Sequence, residues 1–372
     1  MEPQQGNPLR YAIIGVGAAV LSMHREALQL PTVKLVAVSD IETTIGQQRA
    51  QELDCAFYAD YQQLLKEVQP EVVVILTPHP LHARIAIDCL QAGSNVLVEK
   101  PIAVQVSEAD AMIEAAQRSQ RLLGVIFQHR FRPEIRATYK LIQEGQLGDI
   151  QHVELTASWT RTASYYRSAS WRGTWKGEGG GVLMNQAPHN LDLLCHLVGQ
   201  PSRVFGWTTR LIHHIETEDT VQAALQWSNG ALGSLHISTA EADQTDDMKI
   251  VGTKGVIEIH RAGGKLTFRA FDMDLKEFMA TSPNAFGKLP AHEVPVELGP
   301  GAGRHIEVYR NFNEALLHGI PFTSPGTEGR KSLELANALI YSNYTHSEVA
   351  MPLDRQKYAD LLDNLRMNPI SR

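Results

Sequence analysis

Between residues 9 and 100, short runs rich in Val, Ile and Leu alternate with helical patterns, and this alternation leaves few folds open. "LRYAII" (9–14), "KLVAVSD" (34–40), "EVVVILT" (71–77) and "NVLVEK" (95–100) read as strands. Helical segments at 43–53, 61–68 and 82–93 lie between them. Strands this uniformly apolar are buried on both faces, which implies a parallel sheet sandwiched by helices. Asp60 suits the N-cap of the helix before Pro70, and Gly93 suits a helix end. "SEADAMIEAAQRSQ" (107–120) has the look of a capping box, and "LLGVIFQ" (122–128) reads as a further strand.

From about residue 150 the pattern changes. "HVELTASW", "SRVFGWTTR", "TVQAALQW", "ALGSLHIST", "MKIVGT", "GVIEIH" and "KLTFRAF" alternate or are β-branched, and turns such as "SNG" and "GTKG" join them. This predicts a largely antiparallel sheet, with helices at about 182–198, 304–318 and 330–344 over one face. Segment 271–303, with Pro and Gly, reads as a loop or cover. A chain of 372 residues suits two domains, and "QHRFRP" ends the first alternation, so we divide it into 1–130 and 131–372.

Bulk properties narrow the function. The net charge of −7 has no block of like charges behind it, which gives nucleic-acid or anionic-membrane binding no electrostatic support. Three scattered cysteines, Cys55, Cys89 and Cys195, fit buried thiols in a reducing compartment. The polar start MEPQQGNPLR lacks the apolar core of a signal peptide, and "VVVIL" (72–76) is too short to span a bilayer. The expectation is a cytoplasmic protein.

"YAIIGVGAAV" places Gly15 and Gly17 after the first strand. Gly15 permits a tight turn, and Gly17 lets a pyrophosphate approach the N–H groups opening the next helix. Val20 stands where a third glycine is usual. Asp40, ending the second strand, is placed to bond ribose hydroxyls; the alternative for it is a helix N-cap. Ile41 follows rather than an arginine, which favours NAD over NADP. "TPHPLHA" (77–83) sets His79 and His82 three apart, but without a nearby Cys or carboxylate to complete a metal site. No metal is expected. Lys100, at the end of a buried strand, belongs in the crevice where such sheets bind ligands, unless it is a solvated strand-end lysine.

"GEGGGVLMNQAPHNLD" (177–192) raises a question of its own: phosphate cradle, metal site, catalytic helix, or packing glycines before a core helix. The cradle is assigned to Gly15 and Gly17, which leaves the later run as a close backbone approach that delivers His189. Pro188 would kink a continuous helix or start a new one. Glu178 reads as facing solvent, Asn190 is uncommitted, and Asp192 reads as a partner or helix-end group.

Taken in order, "IIGVGAA", "SD" (39–40), "TPHPLH", "AGSNVLVEKP", "HRFRP", "LIQEGQLGDI", "GEGGGVLMNQAPHNLD", "EDTVQAALQWSNGALGSLHIST" and the tail "EGRKSLELANALIYSNYTHSEVAMPLD" resemble the glucose–fructose oxidoreductase / inositol dehydrogenase (Gfo/Idh/MocA) family over nearly the whole chain. The resemblance implies an α/β protein: an N-terminal Rossmann dinucleotide-binding domain and a C-terminal α+β domain with an open, largely antiparallel mixed sheet. It implies bound NAD, a sugar or cyclitol substrate, and a homodimer or homotetramer built through the C-terminal sheet. It suggests that the Lys100–Pro101 bond is cis.

Residue by residue, Lys100 matches the catalytic lysine of E-K-P and His189 the catalytic histidine. Asn185 stands where many inositol dehydrogenases have an aspartate. Gly15, Gly17 and Asp40 match cofactor positions, and Thr77, His82 and Glu99 match the nicotinamide-side wall. Gln128 occupies a position more often held by asparagine. Trp171 and Arg172 match a segment that approaches cofactor or substrate. Arg161, Tyr165 and Tyr166, with Trp171, Arg172 and Trp175, offer hydrogen bonds and flat faces for a hydroxylated ring, though aromatics serve packing as readily.

For oxidation of a secondary alcohol, His189 suits the general base, and Lys100 a proton-relay and orienting group. Asn185 would orient without charge. Two alternatives use the same residues: an oxidoreductive glycoside hydrolase that recycles bound NAD, and a non-enzymatic regulator that binds NAD and sugar. Aglycone release without net NADH marks the first, and inactivity despite tight cofactor binding marks the second.

Overall fold

The computed structural model describes residues 7–17 and 19–369, so the first six residues of the polar start lie outside the described residues. The chain forms two compact units. One holds the residues up to Gln128 together with 177–179 and 303–333; the other holds 129–176, 180–302 and the chain from 334 onward.

The first unit is built on six strands: β1 (Leu9–Ile14), β2 (Val33–Ser39), β3 (Ala56–Tyr58), β4 (Val72–Ile75), β5 (Asn95–Val98) and β6 (Leu123–Val125). Their order is β3-β2-β1-β4-β5-β6 and every pairing is parallel. The order reverses direction beside β1, and ligands bind parallel sheets at such a switch point, outside the carboxyl ends of the strands. Val72, Val73, Val74, Ile75, Val96, Leu97 and Val98 are all fully buried, as their unbroken apolar runs require.

Helices Thr43–Glu52, Tyr61–Val68, His82–Gln91 and Val106–Ser119 connect the strands. Asp60 caps the second of these, its side chain accepting from the Gln62 N–H at 2.8 Å, and Gly93 follows the third at φ +91°. Val106–Ser119 departs from the capping box: Gln105 is its N-cap and makes no side-chain cap. The β6 edge is covered by residues 324–325, with Val125 N–H donating to Ser324 O at 3.0 Å and Ser324 Oγ donating to Val125 O at 2.8 Å. Helix His305–His318 packs on the short helices Leu21–His24 and Ala27–Gln29.

The second unit carries nine strands: β7 (Ile150–Ser158), β8 (Arg203–Thr209), β9 (Thr220–Gln226), β10 (Leu232–Ser238), β11 (Asp246–Gly252), β12 (Gly255–His260), β13 (Lys265–Phe271), β14 (Ala291–Val294) and β15 (Val349–Ala350). Their order is β14-β13-β12-β11-β7-β10-β9-β8-β15. One pairing, β7 with β10, is parallel and the rest are antiparallel. The segment read as irregular holds helix Leu275–Thr281 and β14. Pro188 resolves as a helix start. Helix Val182–Asn185 ends before it, and Pro188–Val198 begins with proline in its first turn, where no N–H is needed.

Candidate active site

In the first unit, β1 runs into Gly15, whose φ is +91°. Its N–H donates to Ser39 O at 2.8 Å. A Cβ on Gly15 would lie 2.8 Å from Thr77 N and 3.0 Å from Leu76 C, so both conformation and space demand glycine. The next glycine is tied to the acid ending β2: Gly17 N–H donates to Asp40 Oδ2 at 2.7 Å, and Glu42 N–H donates to Asp40 Oδ1 at 2.9 Å. Asp40 is therefore not a helix N-cap. Glu42 takes that position before Thr43–Glu52 and makes no side-chain cap. A carboxylate accepts up to about four hydrogen bonds, so Asp40 keeps acceptor capacity for ribose hydroxyls. The helix after the glycine turn is a single turn, Leu21–His24, so pyrophosphate would meet loop N–H groups rather than a long helix dipole.

This half fits a dinucleotide. The Gly15 turn leaves room that any Cβ would fill, and Thr77 Oγ1 is buried without a hydrogen-bond partner beside it. A buried hydroxyl in that state costs free energy unless a ligand satisfies it.

The lysine of E-K-P is half-buried after β5, and its bond to Pro101 is cis. Glu99 lies beneath it. Glu99 Oε2 accepts the Lys100 N–H at 3.1 Å, and Oε1 meets His24 Nε2 at 3.2 Å and His305 Nε2 at 3.3 Å. Burial would raise the Glu99 carboxyl, yet hydrogen bonds from both imidazoles hold it well below its usual range. Burial pushes His24 below its usual range, against the pull of Glu99. Glu99 is thus held charged between the two rings, and His24 Nδ1 lies 2.9 Å from the Tyr309 hydroxyl. His24, Glu99 and His305 also have the ligand atoms of a candidate metal site, all within 4.8 Å of one another.

His82 is fully buried, with Nδ1 2.8 Å from Pro101 O and Nε2 2.8 Å from Thr77 O. It ties the threonine loop to the lysine loop through backbone on both sides. Burial lowers its proton affinity while the two carbonyls act in the opposite sense. His79 is held well below its usual range, chiefly by burial. Gln128 is half-buried at the start of the short helix Gln128–Phe131.

Histidines that stay neutral in the fold make its stability depend on pH. Below about pH 6.5 an unfolded imidazole binds a proton that buried His79 and His24 refuse. Stability is then lost as pH falls, by roughly 1.4 kcal/mol per pH unit for each such histidine. Urea unfolding followed by circular dichroism should show the midpoint dropping between about pH 7.5 and about pH 5.5, and His79→Gln should flatten that dependence.

In the second unit the glycine run serves packing. A Cβ on Gly181 would lie 1.9 Å from Glu218 O. The buried Glu218 carboxylate accepts the Gly181 N–H at 2.8 Å and the Leu183 N–H at 3.1 Å. A carboxylate already holds the N–H groups that a phosphate would use, so these glycines are no cradle. Glu178 is buried, a correction to its reading as solvent-facing. Its neighbour Gly179, like it part of the first unit, is at φ +75°, and a Cβ there would lie 2.8 Å from Val104 Cβ.

His189 is buried in the first turn of Pro188–Val198, and its ring lies 4.2 Å from that of His129 at 30°. Asn185 ends the preceding helix and is half-buried. Asp192 is held by Arg130 through two hydrogen bonds, 2.9 Å from Nε and 2.7 Å from Nη2, with both side chains 1 % exposed. Breaking one side of such a buried pair costs about 3–5 kcal/mol. Asp192→Ala should therefore lower the unfolding midpoint sharply while the folded fraction keeps its turnover; loss of turnover at unchanged stability would make Asp192 a catalytic group instead.

The aromatic segment divides. Arg172 is the hub of one cluster: its Cζ lies 4.3 Å from the Tyr165 ring centre and 4.5 Å from that of Trp171, and Nη1 donates to Tyr165 Oη at 2.6 Å. Arg161 Cζ lies 5.5 Å from the same tyrosine ring. Tyr166 packs edge-on to Tyr165 at 5.1 Å and shares a hydrogen bond with Thr239 Oγ1 at 2.9 Å. Trp175 is 2 % exposed and packs against Tyr344, which makes it a core residue rather than a ring contact. Sequence reasoning missed Arg261 and Asp246. Arg261 donates to His129 Nδ1 at 2.8 Å and pairs with Asp246 at 3.2 Å.

A parallel sheet with a glycine turn and an acid at its switch point defines a dinucleotide-binding protein. Comparison with known proteins gives the family. Residues 9–127 match the family described as "Oxidoreductase family, NAD-binding Rossmann fold", and residues 135–258 match the "GFO/IDH/MocA C-terminal domain". Together these cover more than half of the chain. The chain belongs to the Gfo/Idh/MocA family and is an NAD-binding oxidoreductase.

Among curated relatives, 1-carboxy-3-chloro-3,4-dihydroxycyclohexa-1,5-diene dehydrogenase of Comamonas testosteroni is 33 % identical over 62 % of this chain, and the match spans 58 % of the relative's length. Levoglucosan dehydrogenase of Pseudarthrobacter phenanthrenivorans is 26 % identical over 79 % of this chain and 83 % of its own. Among solved structures, the WlbA dehydrogenase of Bordetella pertussis, in complex with NADH and UDP-GlcNAcA, is 28 % identical with a TM-score of 0.79, covering 93 % of this chain and 100 % of that one. Among the described residues, no helix is long and apolar enough to cross a membrane.

Proposed function

We propose that this protein is an NAD-dependent dehydrogenase that moves a hydride between a secondary hydroxyl of a sugar, glycoside or cyclitol and nicotinamide. The observation that carries the reading is Lys100, a half-buried amine at the carboxyl end of β5 in an NAD-binding sheet. The relatives named above support a hydroxylated ring as substrate.

Bound NAD supplies the hydride acceptor. His189 takes the hydroxyl proton, and Lys100 bonds the same oxygen and relays that proton. Asn185 orients the hydroxyl without adding charge. Arg172, braced between Tyr165 and Trp171, offers donors to ring hydroxyls, and Arg161 and Tyr166 complete that wall. Gly15, Gly17, Asp40, Thr77 and Gln128 hold the dinucleotide. His82 and Glu99 position the loops that carry Thr77 and Lys100. The protein assembles as a homodimer or homotetramer through the C-terminal sheet, whose Trp207 and Leu232 are exposed.

A screen of NAD and NADP reduction against inositols, monosaccharides and glucosides, with product regiochemistry by NMR, tests the reading. Reduction of NAD by at least one ring polyol is expected. Aglycone release without net NADH would favour the recycling hydrolase, and inactivity across the panel despite tight NAD binding would favour a regulator.

A further inference from the structure

Asn185, four residues before His189, is an amide and adds no charge that would help an imidazole hold a proton. The second unit contains a different device. The His129 ring lies against the His189 ring with centres 4.2 Å apart. Arg261 Nη2 is 2.8 Å from His129 Nδ1. A guanidinium only donates, so Nδ1 must be the acceptor, and the proton of a neutral His129 sits on Nε2. Arg261 is itself buried and anchored: Nη1 pairs with Asp246 at 3.2 Å, Asp246 Oδ1 accepts from Asn190 Nδ2 at 2.9 Å, and the Arg261 carbonyl accepts from Arg132.

We propose that His129 is a positioning residue for His189: Arg261 fixes it as a neutral hydrogen-bond acceptor, so that it presents an uncharged ring face and the stacked pair carries its one added proton on His189. An imidazolium against an aromatic face within about 6 Å is attracted to it. Were His129 free to protonate, two stacked imidazoliums would repel, and His189 would lose its hold on the proton it abstracts. In the same unit Arg261 is matched with Asp246, Arg130 with Asp192, and Arg132 with Glu134.

This inference rests on His189 being the base, and its test reads His129 itself. In the NAD-bound protein with isotopically labelled histidine, nitrogen NMR should show His129 protonated at Nε2 only and untitrated between about pH 5.5 and about pH 8.5. A proton on Nδ1, or ordinary titration of His129, would overturn the proposal without touching the role of His189. In Arg261→Met, His129 should begin to titrate, and the acid limb of the kcat profile should steepen from one proton to two while KM holds within about twofold. A one-proton limb in the folded variant would also overturn it. Should Arg261→Met fail to fold, the NMR result on the unaltered protein decides. If His189→Ala keeps its activity, the base assignment fails while the His129 tautomer stands.

Discussion

His189→Ala should lower turnover by about a hundred- to ten-thousand-fold, the range a positioned general base contributes, with NAD affinity unchanged. Lys100→Met should do the same. In the proposed mechanism the two groups handle one proton, so the double variant should lose little more than either single variant. Rates come from NADH absorbance with the best polyol of the screen, and NAD affinity from calorimetry. Full additivity in the double variant would mean that the two side chains act on separate steps. Near-native turnover in either single variant would remove that residue from the mechanism. Lys100→Met should cost little stability, because Lys100 is half-buried.

Asp40→Ala should weaken NAD binding by about ten- to a hundredfold, since a hydrogen bond to a charged group contributes about 1.5–3 kcal/mol. The loss has two sources. The ribose hydroxyls lose an acceptor, and the glycine turn loses the carboxylate that holds Gly17 N–H at 2.7 Å and Glu42 N–H at 2.9 Å. Asp40→Asn separates them. The amide oxygen can still accept one backbone N–H but carries no charge, so it should recover part of the affinity. Asp40→Ala should also narrow the preference for NAD over NADP, because the carboxylate repels a 2′-phosphate. An unchanged NAD affinity in Asp40→Ala would confine the residue to bracing the turn.

Much of the first unit could be read from residues alone. Apolar runs bounded by turns located five strands, and the positions of Gly15, Gly17 and Asp40 depend on local geometry that local sequence encodes. β3 escaped notice because three residues, "AFY", carry no period. Helix Arg355–Met367 also went unread, and the parallel partnership of β7 with β10 could not be seen because strand order is set by distant contacts. The same holds for side chains. His24 and His305 meet Glu99 from positions 75 and 206 residues away, and Arg261 reaches His129 across 132 residues. No periodicity announces such meetings. Glu178 departs from its reading for a related reason: an acid in a glycine-rich segment looks exposed until its burial in the fold is known.

Gly177–Gly181 and His189 lie close in sequence yet serve different ends. The glycines let backbone approach Val104 and Glu218, and the helix beginning at Pro188 holds the imidazole.

The central claim is that a ring carbon of the substrate gives its hydride to nicotinamide. The most direct measurement uses a polyol deuterated at the reacting carbinol carbon, incubated with the enzyme and NAD, with the nicotinamide analysed by mass spectrometry and NMR. The account requires one deuterium per turnover at nicotinamide C4, on a single face. Substrate consumed with no deuterium in the nicotinamide would contradict it.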